Sequence, residues 1–516
     1  MTSEHTLSAD GPPLDDTFTD TGDALEAAAR AYGDRLAYVT PTAAMSFREW
    51  VARAKSTAAL FARLGVGKGD VVTLMLPSGV DYAVCYAAAA FIGAVTTGVN
   101  GRLGPVETAA ILHSSSPTVV VADTEHVRTT VPPAVRVVDL AELHDVYQTP
   151  GDPARPRIER TDPVAIVYSS GTTGLPKGAW FDADNLAASA AAAGAMSAPF
   201  DRRMTSTPFS HAGYMSKLWD QLLWGTTLVI PPTPWTVDGM ARTLRDEHIT
   251  VGGAVPTQWA KLLELPDLDL TSFPDLRVGV VATAPASPDL VRAAASTIGV
   301  PLVVRYAMTE APSVCGTDPD DPPEVQFRTV GRPQSGMEVK IVDDEGRPVA
   351  PGTIGTVRVR GGTVMRGYWN DPELTAQAFD ADGCLITGDL GSLTDAGDLV
   401  LAGRAGDMYI RGGFNIHPIE VEQTIARHPG VRDAAVVGHA APVIGEIGVA
   451  FVVPEPDASP TLAEIREWTS ARLADYKAPD HLVLVDEIPQ TAMSKTDRNR
   501  LRSMVEADPP PPRRSR

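Results

Sequence analysis

From residue 22 onward the chain alternates helix-patterned stretches with short β-rich runs, and this narrows the fold more than any other feature. Ala24–Tyr32, Phe47–Leu64 and Asp81–Ile92 carry helical patterns, whereas Val71–Leu76 and Val119–Ala122 are short, β-branched runs. The alternation predicts βαβ units around a parallel sheet. A second region of the same kind follows, with apolar runs at Thr227–Ile230, Val278–Ala282 and Pro301–Tyr306. Between the two, Gln148–Pro163 is rich in proline, glycine and charge and reads as a linker. From about residue 325 the pattern changes to short strands (Val339–Val342, Thr356–Val359, Leu399–Leu401) joined by Gly, Asp and Pro turns. Beyond Gly403 comes a compact last unit with helices Ile419–Arg427 and Thr461–Leu473 around strands Val436–Gly438 and Gly448–Val453. At 516 residues the chain exceeds one compact core. The fold class is therefore α/β: a large N-terminal domain of two βαβ sheet subdomains plus a small β-rich subdomain, then a smaller α+β C-terminal domain. The polar, acidic start (1–21) and the Pro- and Arg-rich tail (506–516) are expected to be disordered.

Within this framework one segment carries chemistry. Tyr168-Ser-Ser-Gly-Thr-Thr-Gly-Leu-Pro-Lys-Gly178 is a hydroxyl- and glycine-rich loop ending in a lysine. Gly171, Gly174 and Gly178 allow backbone angles that turn several N–H groups toward one centre, which suits an anion. Ser169, Ser170, Thr172 and Thr173 add hydroxyl donors, and Lys177 adds a positive charge. The spacing GxxxxGK[ST] of the common P-loop fails, because Pro176 stands where its last glycine belongs. A loop for nucleotide phosphates is the reading these residues support. The balance of 44 basic against 64 acidic residues, net −20, argues against nucleic acid or an anionic membrane as a bulk partner. Three scattered cysteines, with no CxxC, fit a reducing cytoplasm and give neither a disulfide frame nor a zinc site. The polar start is no signal peptide, and even Tyr82–Val99, among the most apolar stretches, reads as buried helix rather than membrane span.

Further segments fall in a fixed order after the loop: Thr207–Tyr214 (TPFSHAGY), Val281–Pro285 (VATAP), Arg305–Glu310 (RYAMTE), Thr387–Asp389 (TGD), Gly403–Asp407 (GRAGD), Arg411–Glu420 (RGGFNIHPIE), Tyr476–Pro479 (YKAP) and Pro489–Arg498 (PQTAMSKTDR). Together they resemble the adenylate-forming superfamily of acyl-CoA synthetases, peptide-synthetase adenylation domains and firefly luciferase, closest in pattern to acyl-CoA ligases, from about residue 30 to 502. The resemblance implies an N-terminal domain (22–403), a hinge (404–407, pivoting at Gly406) and a mobile C-terminal domain (408–505). It also implies roles. Ser169, Ser170, Gly171, Thr172, Thr173, Gly174 and Lys177 would hold the phosphates of ATP. Ala282, Thr283, Ala284 and Pro285 would line the adenine, Tyr306 would stack on it, and Ala307 and Met308 would complete the nucleotide site. Thr309 would contact the α-phosphate, Glu310 would hold Mg²⁺, and Asp389 with Arg404 would clamp the ribose. His211, Tyr214, Trp259, Val281 and Ala311 would border the acyl pocket. Gly412, Gly413 and Phe414 would guide the pantetheine arm of coenzyme A, and Lys495 would bridge carboxylate and phosphate oxygens during adenylation, stabilising charge in the transition state. The family's reaction runs through an acyl-adenylate (bound AMP ester) to a thioester, with rotation at the hinge between the two halves.

Several positions depart from the family's pattern: Ala282, Thr283 and Ala307 stand where relatives usually carry glycine, as does Ser494, and Gly406 replaces the usual hinge Asp or Lys. Asp182 and Ala183 stand where a Thr-His pair is usual. Added volume near the nucleotide, and the charge of Asp182 near the triphosphate loop, raise a second reading in which ATP use is impaired and a partner ligase supplies the adenylate. An amide synthetase with an amine acceptor shares all these motifs. A non-catalytic adenylate binder would lose Lys495, which is present. The apolar and aromatic candidates around the acyl pocket point to an aryl, fatty or polycyclic acid, and the Ala-, Gly-, Pro- and Arg-rich composition fits a specialised biosynthetic enzyme, monomeric or homodimeric.

Overall fold

The computed structural model describes residues 12–123, 130–169, 176–205, 207–281, 288–411, 414–441, 444–491 and 496–509. The chain divides into two compact units, residues 1–339 with 359–385, and residues 340–358 with 386–516.

The first unit holds two mainly parallel sheets. In the seven-stranded one, the order is Gly367–Tyr368, Lys177–Asp182, Pro163–Ser169, Val95–Gly98, Val71–Met75, Val119–Ala122 and Arg136–Val138. The inner strands are parallel, and the antiparallel pairs are confined to the edge that carries Lys177–Asp182. The nine-stranded sheet likewise has a parallel centre, with Val251–Ala254, Val278–Val281 and Leu302–Met308 side by side and Ala311–Gly316 added antiparallel. Parallel sheets need both faces covered, and the sequence supplies helices to do so. Val80–Phe91 is apolar almost all round and is buried from Tyr82 to Phe91. Phe47–Arg63 starts at a capping box, Ser46 with Glu49, and its Trp50 indole donates to Ala83 O at 2.9 Å. Among the described residues no helix is long and apolar enough to cross a membrane.

Residues 12–21 differ from the expectation of disorder, and residues 1–11 lie outside the described residues. Leu14 N donates to Leu223 O, Arg160 donates to Asp16 O and Phe18 O, and Asp20 caps the helix Thr21–Tyr32. Two arginines from the 148–163 segment fasten this stretch, Arg160 on its carbonyls and Arg155 on Asp20, and Phe18 packs edge-on against Trp219. The tail from residue 510 lies outside the described residues.

In the second unit, strands Leu385–Leu393 and Leu399–Arg404 pair antiparallel. The sheet of its C-terminal part places Gly445–Pro454 between Val431–Ala441 and Tyr409–Arg411, with His481–Leu484 parallel to it. Helices Pro418–Ile425 and Leu462–Ser470 bury Val421, Ile425 and Ile465 with Val436 and Val452. Helix Arg498–Ala507 buries Leu501 and Val505 with Val437 and Phe451.

Candidate active site

Two paired strands flank the hydroxyl- and glycine-rich segment. Strands Pro163–Ser169 and Lys177–Asp182 run antiparallel with Ser169 opposite Lys177 and Tyr168 opposite Gly178. Ser170, Gly171, Thr172, Thr173 and Gly174 lie outside the described residues. Gly178 has a different reason from the one its position suggests. It sits in the strand, and a Cβ there would stand 2.8 Å from Ile166 Cγ2 and 2.9 Å from the Tyr168 ring, so glycine is required by packing. Burial raises the Tyr168 phenol above its usual range, and that hydroxyl donates to Ser114 Oγ at 3.1 Å.

Asp182, at the far end of the stem, does not present an open charge. It is 1 % exposed, caps helix Ala183–Ala191 through the Asn185 N–H at 2.9 Å, and accepts the Arg366 Nε–H at 2.6 Å. Opposition between this carboxylate and a triphosphate, expected from sequence, is therefore corrected: its charge is met locally by a guanidinium and a helix N-terminus.

Opposite the stem, Thr309 and Glu310 form the turn between strands Leu302–Met308 and Ala311–Gly316. Glu310 Oε1 accepts the Ser169 hydroxyl at 3.0 Å and the Tyr368 hydroxyl at 3.1 Å, and the Met365 N–H bonds the Glu310 carbonyl at 2.9 Å. Lys177 Nζ lies 5.9 Å from the centre of the Tyr368 ring. Burial first, and then the Glu310 carboxylate, push the Tyr368 phenol well up, so it stays a neutral donor. Sequence reasoning missed Tyr368. Its signal was a two-residue edge strand, Gly367–Tyr368, too short for a pattern but paired with Ala179 and Trp180 of the stem. The carboxylate with hydroxyls beside it is a hard-oxygen environment that fits magnesium. Among the described residues no group of three or more acidic, His or Cys side chains could hold a metal by itself. The ion would thus have to share ligands with phosphates and water.

His211 caps the short helix Ala212–Met215 and is half-buried. Its Nε2 accepts from Asn100 Nδ2 at 2.9 Å, which assigns the ring proton to Nδ1, and Asn100 in turn is fixed through its Oδ1 to Arg102 N. Asn100 is a second residue that sequence alone did not single out. Tyr214 is buried, stacked on Phe209 with centroids 3.6 Å apart, and its hydroxyl meets that of Tyr38 at 2.9 Å. Trp259 is fully enclosed in the core of the nine-stranded sheet, its indole N–H donating to Val280 O at 3.2 Å. Val281 and Ala311 are fully buried at strand ends, Tyr306 is buried, Met308 is half-buried and Ala307 is exposed. Ala282, Thr283, Ala284 and Pro285 fall outside the described residues.

In the second unit Asp389 and Arg404 face each other across their strands, with Arg404 Nε donating to Asp389 Oδ1 at 3.0 Å. Asp389 N donates to Thr387 Oγ1, whose hydroxyl donates to Val357 O, so the whole Thr-Gly-Asp segment is held. Gly406 is exposed, with open space where a Cβ would stand. Asp407 beside it is bound by Arg498 Nε at 3.1 Å and Arg502 Nη2 at 2.9 Å. Arg411 makes a bidentate pair with Asp480 at 2.7 and 2.8 Å, and Phe414, half-exposed, stacks on Tyr476 with centroids 4.3 Å apart. Gln490 and Thr496 form an antiparallel bridge. Lys495, Gly412 and Gly413 lie outside the described residues.

The AMP-binding enzyme family matches residues 25–369, and the AMP-binding enzyme C-terminal domain matches residues 420–495. Among curated relatives, the 3-[(3aS,4S,7aS)-7a-methyl-1,5-dioxo-octahydro-1H-inden-4-yl]propanoyl:CoA ligase of Rhodococcus jostii (strain RHA1) is 32% identical, over 94% of this chain and 98% of its own. Among solved structures, ATP-bound MatB from Rhodopseudomonas palustris superposes with a TM-score of 0.88 at 27% identity, covering 94% of this chain and 99% of that one. O-succinylbenzoate Coenzyme A Synthetase (MenE) from Bacillus subtilis, in complex with ATP and magnesium ion, gives a TM-score of 0.83 at 26% identity, covering 93% and 98%.

Proposed function

The chain belongs to the AMP-binding enzyme family, and from that premise we propose that it is an AMP-forming acid–CoA ligase acting on an acid with an apolar or aromatic body. The observation that carries the reading is the meeting of Ser169, Glu310 and Tyr368 beside Lys177, which joins the hairpin tip to the Thr309-Glu310 turn. Nucleotide phosphates at the tip would find hydroxyls and a lysine on one side and a carboxylate able to share a magnesium ion on the other. Magnesium, when bound, neutralises phosphate charge as the substrate carboxylate attacks the α-phosphate. Lys177 and Thr309 supply a charge and a donor to phosphate oxygens, and Lys495 adds its charge where the transition state develops it. Tyr368 holds the Glu310 carboxylate in place as a neutral donor.

Asp389 and Arg404 would take the ribose. Pyrophosphate leaves, and a turn of the C-terminal part about residues 404–407 would withdraw Lys495 and bring Gly412, Gly413 and Phe414 to guide the thiol of coenzyme A. Two features support such a pivot: open space at Gly406, and the Arg498 and Arg502 anchor on Asp407. The buried walls Val281, Ala311 and Tyr214 support an apolar acid. The reading with impaired ATP use loses its electrostatic ground with the Asp182–Arg366 pair.

The test incubates purified protein with ATP, magnesium, coenzyme A and a panel of acids, following pyrophosphate release and acyl-CoA by mass. Lys495→Ala is expected to lose at least a hundredfold in pyrophosphate release (about 2.7 kcal/mol or more of barrier), while forming thioester from a supplied acyl-adenylate. Equal rates for wild type and Lys495→Ala from free acid would sink the proposed role, and amide instead of thioester would move the acceptor to an amine.

A further inference from the structure

One buried cation has no part in the chemistry above. Lys217 follows the helix that His211 caps, and its ammonium donates to Ser313 Oγ at 2.9 Å and to Ser189 O at 3.2 Å. Ser313 itself lies three residues beyond Glu310 on the strand Ala311–Gly316. Lys217 therefore sits between the two segments that frame the acyl side of the site. The side chain lies deep in the protein, yet the residue keeps some accessible surface, which is how a group lining an internal cleft behaves.

One acid, Asp220, acts on Lys217 against two arginines, Arg203 and Arg305. Asp220, the acid that acts on it, is already committed: its Oδ2 accepts from Arg203 at 2.6 Å and its Oδ1 from Ser197 at 2.6 Å. Arg305 adds a further cation whose Nε and Nη1 are buried with no hydrogen-bond partner among the described residues. Arg305 gives its Nη2–H to Ala193 O and feels Asp318 and Asp321, whereas no described carboxylate pairs with Lys217, and one of the three ammonium N–H groups of Lys217 is unused by described residues. Burial, reinforced by Arg203 and Arg305, lowers the ammonium to about 8, which leaves it charged at neutral pH. A buried charge without a partner is destabilising unless something else meets it. Capping the carbonyl of Ser189, in the last turn of helix Ala183–Ala191, accounts for one donor and not for the surplus charge.

We infer that Lys217 is a specificity residue that receives an acceptor oxygen at the far end of the acid, so that the substrate is an apolar-bodied acid ending in a second carboxylate or a ketone. This rests on the ligase reading above and narrows its substrate class. The excess of positive charge favours the carboxylate. The neutral hydroxyl beside it, Ser313, would help position either group.

The test compares acids that share a body and differ at the far end: phenylpropanoic acid with its para-acetyl and para-carboxy derivatives, and decanoic acid with a terminal methyl ketone analogue and decanedioic acid. Wild type is expected to favour the oxygen-ended members in kcat/KM by about tenfold or more, since a site built to donate to an oxygen leaves its donors unpaired when the oxygen is missing. Lys217→Met should bring that ratio near one, chiefly by raising activity on, or sparing, the hydrocarbon-ended acids while KM for the oxygen-ended ones climbs. Lys217→Arg should keep part of the preference. If Lys217→Met lowers turnover of all members in equal proportion, Lys217 is only a helix cap and the inference fails. It fails too if wild type shows no preference, or prefers the hydrocarbon ends, while the broad acid panel still yields acyl-CoA; the ligase reading then stands. If no acid on any panel is turned over, both fall together.

Discussion

Asp182 offers the sharpest check on how charge is handled around the hairpin. Its carboxylate makes one bond to the helix N-terminus through Asn185 N and one to Arg366 Nε, and it is 1 % exposed. Replacing it by alanine removes the cap, about 1 kcal/mol, and the charge-assisted bond, for which the lower end, about 1.5 kcal/mol, applies. The lower end is chosen because the Arg366 side chain is 40% exposed and regains water when released. Asp182→Ala should therefore cost about 2.5 kcal/mol, and Asp182→Asn, which keeps a capping oxygen, about 1.5 kcal/mol. Urea unfolding followed by tryptophan fluorescence suits the measurement, because of the eight tryptophans all but Trp468 lie in the first unit. The same variants should leave KM for ATP within about twofold of wild type, since a charge already met by a guanidinium adds little field at the loop tip. A several-fold drop in KM for ATP in Asp182→Asn would show that the carboxylate does repel the phosphates, and the local-neutralisation argument would be refuted. A stability loss below about 0.5 kcal/mol in Asp182→Ala would refute the packing half of it.

Three further outcomes follow from the geometry. Gly178→Ala forces a methyl against Ile166 and the Tyr168 ring and should destabilise the first unit by about 1–3 kcal/mol, read from the same unfolding curve. Asp480→Asn breaks a bidentate pair whose side chains are 12% and 2% exposed; it should cost about 3 kcal/mol and speed amide exchange along strand Gly445–Pro454, which Asp480 also contacts through Gly448 N. For Lys217, the folded ammonium titrates near 8 and the unfolded one near its ordinary 10.5, so between those values the unfolded chain holds the extra proton and stability rises with pH. The stability of wild type relative to Lys217→Met should accordingly grow from pH 8 toward pH 10, and a flat difference would deny the burial of the charge.

The regular elements were largely legible because their periods are strong. Val119–Ala122 is a strand with the very bounds its β-branched run suggested, and helix Phe47–Arg63 begins where the Phe47–Leu64 pattern begins and ends one residue short of it. The hairpin was not legible. Lys177-Gly-Ala-Trp-Phe-Asp lacks clean alternation, because it is buried on both faces beneath Tyr168 and beside an edge strand from residue 367. The site divides along the same line. Residues within a motif, such as Glu310 and His211, could be singled out in advance, whereas Tyr368 and Asn100 reach those two side chains from strands and loops remote in sequence. Their roles depend on which strands pair. Lys217 was hidden for another reason: a lysine near an aromatic run reads as solvent-facing, and only burial among Ser189, Ser313 and two arginines distinguishes it.

The hairpin register has an evolutionary consequence. Side chains alternate faces along a strand, so one residue gained or lost within a paired stem turns every later side chain to the opposite face. With Ser169 fixed opposite Lys177 and Gly178 wedged against Tyr168, such a change inside the stem would carry Lys177 away from the Ser169–Glu310 side and bring a larger residue against the Tyr168 ring. Descendants of this sequence are therefore held to the length of the stem and to a glycine at 178, where an insertion or a larger side chain meets the Tyr168 ring.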